Sequence, residues 1–331
     1  MSRPRIVVLL DCVGDTPAIF QQAIEDAGID ASVEIVPDAG RRGDDEIARM
    51  VAGASALVTP LTLQVDADLL DAAGPTLKVV ANYAVGFDNI DLAACRAREV
   101  TVCNGPPPMT EPTADLAWTL LLGALRRVRE GVDLARSGAW AGYDAQLLLG
   151  HRLVGGTLLV VGAGRIGAAV ARRSLGWDMR VLYTARTPKP DLESAPIHAE
   201  RTTLGDGLPE ADAVVVTTAL TPETRHLIDG EALARMKPSA VLVNVSRGPV
   251  VDERALARAL SAGTIFAAGL DVYEHEPAID PMLVDLPNAL LLPHLGSSTV
   301  EDRTDLTGIC AENVVRVLGG HAPRFPVPAP A

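Results

Sequence analysis

The first hundred residues alternate between short apolar runs and longer segments of helical period. The runs are rich in residues that favour strands, so each of them predicts a β-strand. Residues 18–27 have the spacing of an amphipathic helix. Strand-helix alternation predicts a parallel α/β sheet. The predicted strands are residues 6–10, 33–36, 56–58, 77–80 and 100–102.

A second α/β series follows a break at residues 104–108, where three consecutive prolines remove backbone donors and fix the chain. Residues 110–136 carry apolar positions at helical spacing and predict one extended helix, with Thr110 or Thr113 as its start. The predicted strands of this series are residues 158–161, 180–183, 213–217, 241–245, 266–270 and 289–292.

The end of the chain predicts a discontinuous first domain. A helix after Thr299, to about Leu318, is too short to be a domain and is expected to pack on the N-terminal unit. The tail 322–331 has four prolines and few apolar anchors, which predicts a mobile segment. The predicted domains are therefore residues 1–103 with 299–331, and residues 104–298.

Composition narrows the function classes. The chain has 331 residues, 48% of them hydrophobic, and a formal net charge of -13, which disfavours nucleic acid and anionic membranes as partners. Its apolar runs are too short for a membrane span or a signal peptide, so we expect a cytoplasmic protein. Four scattered cysteines predict idle thiols, and no cluster of histidines or cysteines indicates a metal site.

The first motif that carries chemistry is a glycine-rich turn between a predicted strand and a predicted helix. Gly162 permits the tight turn, Gly164 lets the backbone approach a pyrophosphate, and Gly167 allows close helix packing. Arg165 and Ile166 open the helix, whose N-terminus favours phosphate. This context predicts a dinucleotide site.

The end of the next strand indicates which dinucleotide is preferred. It ends Tyr183-Thr184-Ala185-Arg186, without the carboxylate that would bind a ribose 2′-hydroxyl and repel a 2′-phosphate. Arg186, with Lys189, is suited to pair with that phosphate, although a solvated loop cation has the same sequence signature. We therefore favour NADPH over NADH.

Three ionisable residues follow later predicted strands. In an open parallel sheet such positions meet around one ligand. Arg247 is suited to clamp a substrate carboxylate with two parallel hydrogen bonds. His294, held by a carboxylate that favours its protonated form, can exchange a proton with a substrate oxygen. Spacing alone leaves both Glu274 and Glu276 open as that carboxylate.

Together these blocks resemble the D-isomer-specific 2-hydroxyacid dehydrogenases, from about Ile6 to Leu318. The resemblance rests on four blocks: Asn82-Tyr-Ala-Val-Gly-Phe-Asp-Asn-Ile-Asp91, the glycine-rich turn, Asn244-Val-Ser-Arg-Gly-Pro-Val-Val-Asp252, and Gly269 to Pro277 continuing to Pro293-His294-Leu-Gly-Ser-Ser-Thr299. It implies two Rossmann- or flavodoxin-like doubly wound parallel-sheet domains with the active site in the cleft between them.

The resemblance also implies residue roles. Arg247, Glu276 and His294 would be catalytic, which decides against Glu274. The substrate carboxylate would bind the backbone of Val85 and Gly86 and the side chain of Arg247, and His294 would also contact the substrate. Asp271 would contact the nicotinamide carboxamide, and Thr113 would lie near the cofactor. Thr184, at the strand end before Arg186, is a further candidate cofactor residue. The family further implies a homodimer built on the long helix and the loop with Trp140. Ala219 stands where the family usually has Pro, which puts the geometry of a cofactor-side loop in doubt.

The sequence therefore predicts reduction of a small 2-keto acid, glyoxylate or hydroxypyruvate, to the D-2-hydroxy acid. The alternatives are an enzyme for bulkier 2-keto acids or for 3-phosphoglycerate, and an NAD(H)-sensing corepressor that keeps the same three residues. A methyltransferase would leave Arg247, Glu276 and His294 unexplained.

Overall fold

The structure, a computed structural model, describes residues 3–37 and 39–328. The chain divides into two units, Met1–Met109 with Ser297–Ala331, and Thr110–Gly296. The sequence places these junctions at 103/104 and 298/299, whereas here the first one falls where a helix begins at Thr110. Within the described part of the chain, no helix is long and apolar enough to cross a membrane. Met1, Ser2 and residues 329–331, which belong to the predicted first domain, lie outside the described residues.

The first unit contains a parallel five-stranded sheet. Asp15 begins the first helix, because its side chain accepts a hydrogen bond from the amide of Ala18. In chain order the elements are β1 Arg5–Val8, α1 Thr16–Asp26, β2 Ser32–Ile35, α2 Asp44–Val51, β3 Ala56–Thr59, α3 Ala67–Ala73, β4 Val79–Asn82, α4 Leu92–Ala97 and β5 Thr101–Cys103. The strand order is β2-β1-β3-β4-β5.

The second unit contains a parallel seven-stranded sheet. Its elements are α5 Thr110–Leu125, α6 Val128–Ser137, β6 Thr157–Val161, α7 Arg165–Arg173, β7 Arg180–Thr184, α8 Pro190–Glu193, β8 Glu200–Arg201, α9 Leu204–Gly207, β9 Ala213–Val216, α10 Gly230–Ala234, β10 Val241–Asn244, α11 Glu253–Ser261, β11 Ala267–Leu270, α12 Pro281–Val284 and β12 Ala289–Leu291. The strand order is β12-β11-β10-β9-β6-β7-β8. Both units therefore have the α/β parallel-sheet architecture that the sequence predicts.

The prediction of one extended helix over residues 110–136 is wrong in one respect, because the structure has two helices there. Arg127 has a φ of 53°, in the left-handed region, and this turn separates α5 from α6. The two segments also differ in burial. Helix α5 is buried along most of its length, whereas α6 has no buried residue. Continuous helical spacing in the sequence does not reveal a single left-handed residue.

The last helix, α13 Val300–Leu318, returns to the first unit. Thr299 accepts a hydrogen bond from the amide of Asp302 and begins the helix. Leu306 and Cys310 are buried in a cluster with Phe20 and other residues of the first unit. This packing makes the unit discontinuous.

The described part of the tail is held at the sheet edge, contrary to the mobility that the sequence predicts for residues 322–331. The amide of Val327 donates to Val102 O at 2.9 Å, and Asn104 N donates to Phe325 O. Asn313 Oδ1 accepts the amide of Arg324 at 2.8 Å. The prediction failed because these bonds use backbone groups, which composition does not report. Residues 329–331 lie outside the described residues.

Hydrophobic side chains pack on both faces of the larger sheet. Along β10, Leu242 belongs to one buried cluster, while Val241 and Val243 belong to the other. This alternation follows from the two-residue period of a strand. Because both faces are covered, the strands appear in the sequence as continuous apolar runs, and ligand sites are left to the ends of the strands.

Candidate active site

The glycine-rich turn joins β6 to α7 and leaves room for a phosphate. Gly162 has a φ of 97°, and a Cβ there would lie 2.6 Å from Thr218 Cα. A Cβ on Gly167 would lie 2.4 Å from Gly162 O, so the helix packs directly on the turn. Nothing lies within 4 Å of a Cβ built on Gly164, which begins α7 without a side-chain cap. The open space and the amides of Arg165 and the following residues fit a pyrophosphate.

The glycine-rich turn is held by hydrogen bonds with Thr184, which the sequence predicted at the site, and with Thr217, which it did not. The amides of Gly162 and Ala163 both donate to Thr184 O, at 3.2 and 3.1 Å. Thr217 Oγ1 donates to Gly162 O at 2.7 Å, a contact that the sequence did not reveal. The only available signal was a threonine pair immediately after β9. Thr184 thus supports the turn through its backbone O and through Oγ1, which also accepts the amide of Gly162 at 3.2 Å.

The loop after β7 presents cations and no acid of its own at the strand end. Arg186 is exposed. Its backbone is held by Arg201, which donates to Ala185 O at 3.1 Å and to Arg186 O at 2.9 Å. Glu223, from the loop after β9, is close enough that Arg186 contributes to lowering its pKa, after a larger effect from its hydrogen bond with Thr221. A carboxylate therefore approaches Arg186 from another loop, where sequence order gave no indication of it.

The loop with Ala219 is also tied down. Thr224 Oγ1 donates to Ala219 O at 2.7 Å and accepts the amide of Thr221 at 2.7 Å. These side-chain bonds define the turn where the family usually places a proline. With Ala219 in place of that proline, the loop is still held by hydrogen bonds.

His294 lies just beyond β12 and has a left-handed backbone, with a φ of 56°. This conformation is uncommon for a residue other than glycine. It is held by a hydrogen bond from the His294 amide to Asp271 O at 2.9 Å. Its side chain is 28% exposed, and Nδ1 lies 2.8 Å from Glu276 Oε2. Nε2 is therefore the ring nitrogen left to face a reacting group.

Glu276 is the carboxylate that pairs with His294. Its other oxygen, Oε1, accepts the amide of Tyr273 at 3.0 Å. Burial acts to raise the pKa of Glu276, but the hydrogen bond and charge of His294, the Tyr273 amide and the charge of Arg247 together lower it. An ionised carboxylate only accepts hydrogen bonds, so Nδ1 of His294 carries the proton of this pair.

Asp271 fixes the turn on the far side of His294. Its carboxylate is buried and accepts the amides of Leu295 at 2.6 Å and Gly296 at 2.8 Å. Burial raises the pKa of Asp271, and the two amides and His294 oppose that rise. Thr113, on α5, adjoins this turn, because a Cβ on Gly296 would lie 3.5 Å from Thr113 Oγ1.

Arg247 follows β10 in an extended conformation. Asn244 holds the turn: its Oδ1 accepts the amide of Ser246 at 3.0 Å and its Nδ2 donates to Arg247 O at 3.0 Å. The guanidinium donates to Ser246 O at 2.8 Å. Its charge helps to lower the pKa of Glu276, which places the two side chains in one electrostatic site. The structure therefore brings Arg247, Glu276 and His294 together at the carboxyl ends of three strands.

Glu274, the rival carboxylate, takes part in a separate cluster. Its Oε2 lies 3.0 Å from His226 Nε2, and its Oε1 accepts the amide of Glu253 at 2.9 Å. In return, Glu253 accepts the amides of Glu274 at 2.8 Å and Asp280 at 2.7 Å. We call Glu253 and Glu274 the carboxylate clasp. It joins the start of α11 to the loop that carries Glu276.

Val85 and Gly86 lie in the first unit, in the loop after β4. Both are partly buried. Asn104 Nδ2 donates to Val85 O at 2.6 Å, and Asn82 Nδ2 donates to Gly86 O at 2.8 Å. The backbone of this loop is thus held by side chains that the sequence analysis did not single out.

Comparison with known proteins supplies a family for this site. Residues 118–296 match the model of the D-isomer specific 2-hydroxyacid dehydrogenase NAD-binding domain. The chain is 41% identical over 325 residues to a glyoxylate reductase from Thermococcus kodakarensis, covering 97% of this chain and 95% of that protein.

Two solved structures are similar to this chain over 98% of its length. A protein from Thermus thermophilus superimposes with a TM-score of 0.88 at 40% identity, covering 98% of this chain and 100% of that one. The NADPH-dependent glyoxylate/hydroxypyruvate reductase of Sinorhizobium meliloti, solved with NADP and malonate, gives a TM-score of 0.81 at 31% identity, with 98% and 97% covered.

Proposed function

The chain belongs to the D-isomer specific 2-hydroxyacid dehydrogenases, and from that premise we propose that it reduces glyoxylate or hydroxypyruvate to the corresponding D-2-hydroxy acid. Its general class is that of NAD(P)-dependent oxidoreductases that act on CH–OH groups. The observation that carries the proposal is the 2.8 Å pair of His294 Nδ1 and Glu276 Oε2, with Arg247 charge acting on the same carboxylate.

Each residue of the site has a role in this reaction. The nicotinamide cofactor, when bound, supplies the hydride. Arg247 binds the substrate carboxylate and its charge polarises the neighbouring carbonyl. His294 delivers a proton from Nε2 to the oxygen that becomes the hydroxyl, and Glu276 stabilises the protonated ring and fixes its orientation. In the reverse direction the neutral ring accepts that proton.

We assign the remaining sequence-predicted residues to binding. The amides of Val85 and Gly86 take the substrate carboxylate. The turn of Gly162, Gly164, Arg165, Ile166 and Gly167 takes the pyrophosphate, with Thr184 behind it. Asp271 and Thr113, which adjoin the His294 turn, are assigned to the nicotinamide end of the cofactor.

NADPH is the cofactor that we favour over NADH. Arg186 is exposed at the strand end where a 2′-phosphate would bind, and no acid follows that strand directly. Glu223 opposes this preference because it lies near Arg186. We therefore expect Arg186→Ala to raise the KM for NADPH about tenfold while that for NADH changes little. Glu223→Gln is the matched variant, and it should lower the KM for NADPH.

A homodimer is part of the proposal. Helix α6 has no buried residue, and its Val128 and Val132 are 47% and 46% exposed. Trp140 and Leu149 add further exposed apolar side chains, at 60% and 61% exposure. Such a surface is typical of a protein interface. Light scattering on the purified protein should give the mass of two chains, and Val132→Glu should shift it towards one.

The decisive experiment for the proposed function is a substrate comparison. The loss of reduced cofactor is followed with NADPH or NADH against glyoxylate, hydroxypyruvate, pyruvate and phenylpyruvate. We expect the highest kcat/KM with NADPH and the two small acids. A preference for phenylpyruvate would overturn the substrate assignment, and tight cofactor binding without turnover of any acid would overturn the enzymatic role.

A further inference from the structure

The loop after β4 has three consecutive carbonyl groups bound from the same part of the unit. Gly105 N donates to Ala84 O at 3.1 Å. Asn104 Nδ2 donates to Val85 O at 2.6 Å, and Asn82 Nδ2 donates to Gly86 O at 2.8 Å. Two of these three donors are side chains, so the conformation of the loop depends on residue type and not only on the path of the backbone.

The bound carbonyls determine where the next amides point. In a planar trans peptide, the C=O of one residue and the N–H of the next point in opposite directions. Fixing Ala84 O, Val85 O and Gly86 O therefore turns the N–H groups of Val85, Gly86 and Phe87 away from the two asparagines. Within residues 3–37 and 39–328, none of these three amides donates a hydrogen bond to another group. Consecutive unpaired amides are suited to bind an anion.

The asparagine network also fixes which way each side-chain amide faces. Asn82 is fully buried, and its Nδ2 also donates to Asn89 Oδ1 at 3.0 Å, while its Oδ1 accepts Thr59 Oγ1 at 3.1 Å. Asn89 Nδ2 in turn donates to Leu63 O at 2.9 Å. Reversing the Asn82 amide would place oxygen against Gly86 O and break several bonds at once. The network therefore holds the donor orientation.

We propose that Asn82 and Asn104 are positioning residues that preorganise the amides of Val85, Gly86 and Phe87 for the substrate carboxylate. This inference rests on the proposed function, because it takes the bound anion to be the carboxylate of a 2-keto acid. It adds Phe87 as a third donor and assigns the rigidity of the site to two buried side chains. Preorganised amides bind a carboxylate without a cost of ordering the loop at each turnover.

Asn104 offers the cleaner test. Among the described residues, its side chain bonds only to Val85 O. Its backbone groups bond to Phe325 and Asn313, and these bonds would be kept in a variant. Asn104→Asp keeps the shape and removes the donor. Asn104→Ser also removes the bond, but adds no charge, and so separates positioning from repulsion of the substrate. Asn82→Ser breaks the second bond independently.

A matched control lies in the other unit. Asn288 Nδ2 also donates to backbone carbonyls, Phe266 O at 3.1 Å and Leu260 O at 3.3 Å. Asn288→Asp and Asn288→Ser make the same chemical changes at a loop that we assign no ligand. Thermal unfolding of every variant shows which ones are folded at the assay temperature.

The measurements are the KM for glyoxylate, the competitive inhibition constant of oxalate, kcat at saturating substrate, and the Kd of NADPH. Loss of one positioning bond should raise the KM and the oxalate constant roughly 5- to 10-fold in Asn104→Ser and Asn82→Ser, with kcat and the NADPH Kd nearly unchanged. The Asn288 variants should keep all four constants. A merely structural role would lower the melting temperature or the active fraction without changing KM.

The outcomes separate the two proposals. If the wild type reduces glyoxylate and a folded Asn104→Ser keeps its KM and oxalate constant, the positioning role is wrong while the proposed function stands. If only Asn104→Asp weakens binding, charge repulsion explains the effect and the positioning role is also wrong. If the wild type turns over none of the acids, the proposed function itself has failed.

Discussion

Glu276 and Glu274 stand two residues apart and bind different histidines. Glu276 pairs with His294, whereas Glu274 pairs with His226 and with the amide of Glu253. Residue spacing in the sequence left both carboxylates open, because a loop between two strand ends can direct either side chain inward. The geometry distinguishes them, because Glu276 Oε2 lies 2.8 Å from His294 Nδ1. The charges of His294 and Arg247 also help to lower the pKa of Glu276.

This difference predicts unequal effects of the same substitution. Glu276→Gln removes the charge that stabilises protonated His294 and should lower kcat about 10- to 100-fold, with little effect on NADPH affinity. Glu274→Gln weakens the carboxylate clasp and should mainly lower stability, by about 1 to 2 kcal/mol. Steady-state kinetics and thermal unfolding of both variants check this. Equal losses of kcat would contradict the assignment of the acid-base pair to Glu276.

At the scale of elements, the two loops that carry Arg247 and Glu276 are built against each other. A Cβ on Gly248 would lie 1.8 Å from Tyr273 C, so only glycine permits this approach of two backbones. The carboxylate clasp adds exchanged hydrogen bonds between Glu253 and Glu274. The two loops therefore support each other, and these contacts fix the position of Arg247 relative to Glu276.

Gly248→Ala should consequently affect both stability and catalysis. Because the new methyl would meet backbone atoms that cannot rotate away, we expect a loss of about 1 to 3 kcal/mol or more. We also expect a lower kcat/KM for the 2-keto acid in the protein that remains folded. Gly230→Ala is the control, since a Cβ there would meet only Ala255 Cβ at 3.8 Å. Normal kinetics in a folded Gly248→Ala would show that the two loops are independent.

Element positions were predictable to the extent that burial determines them. Strands β6, β9 and β10 are covered on both faces, and their continuous apolar runs mark them directly. The two-residue strand β8 is exposed and has no such pattern, so it was missed. The break at Arg127 depends on one left-handed residue, and helical periodicity continues through it.

Some features of the site were also visible in the sequence, and others were not. The glycine-rich turn was visible because steric demands at Gly162 and Gly167 admit almost no other residue. The support from Thr217, Asn104 and Asn82 was not visible, since a buried side chain that donates to a carbonyl has no sequence signature. The strand order brings such residues together, and spacing along the chain does not report it.

At the scale of the whole molecule, the buried thiols link stability to alkaline pH. All four cysteines are free and buried. Burial raises the pKa of Cys12 and Cys103 to about 12 and that of Cys95 to about 11, from 9.0. Burial also places the pKa of Cys310 well above that value. Folding therefore keeps these thiols protonated at a pH where the unfolded chain would lose their protons.

These raised pKa values should lower the free energy of unfolding as the pH rises above 9.0. A pKa that is higher in the folded state gives stability that is complete below the unfolded value of 9.0 and is lost as pH rises towards the folded values. Each thiol should contribute up to about 1.4 kcal/mol per pH unit in that window. Denaturant unfolding on the alkaline side of pH 9.0 should show this fall. The slope should be shallower in Cys103→Ala; an equal slope would show that this thiol does not titrate on unfolding.

The measurement that tests the central claim most directly compares the wild type with His294→Ala for turnover of glyoxylate with NADPH, alongside the Kd of NADPH. The imidazole is assigned to proton transfer and not to cofactor binding. We therefore expect kcat to fall at least about 100-fold while the Kd stays nearly constant. Retained turnover in His294→Ala, or loss of NADPH binding with the fold intact, would contradict the assignment of His294 as the acid-base residue.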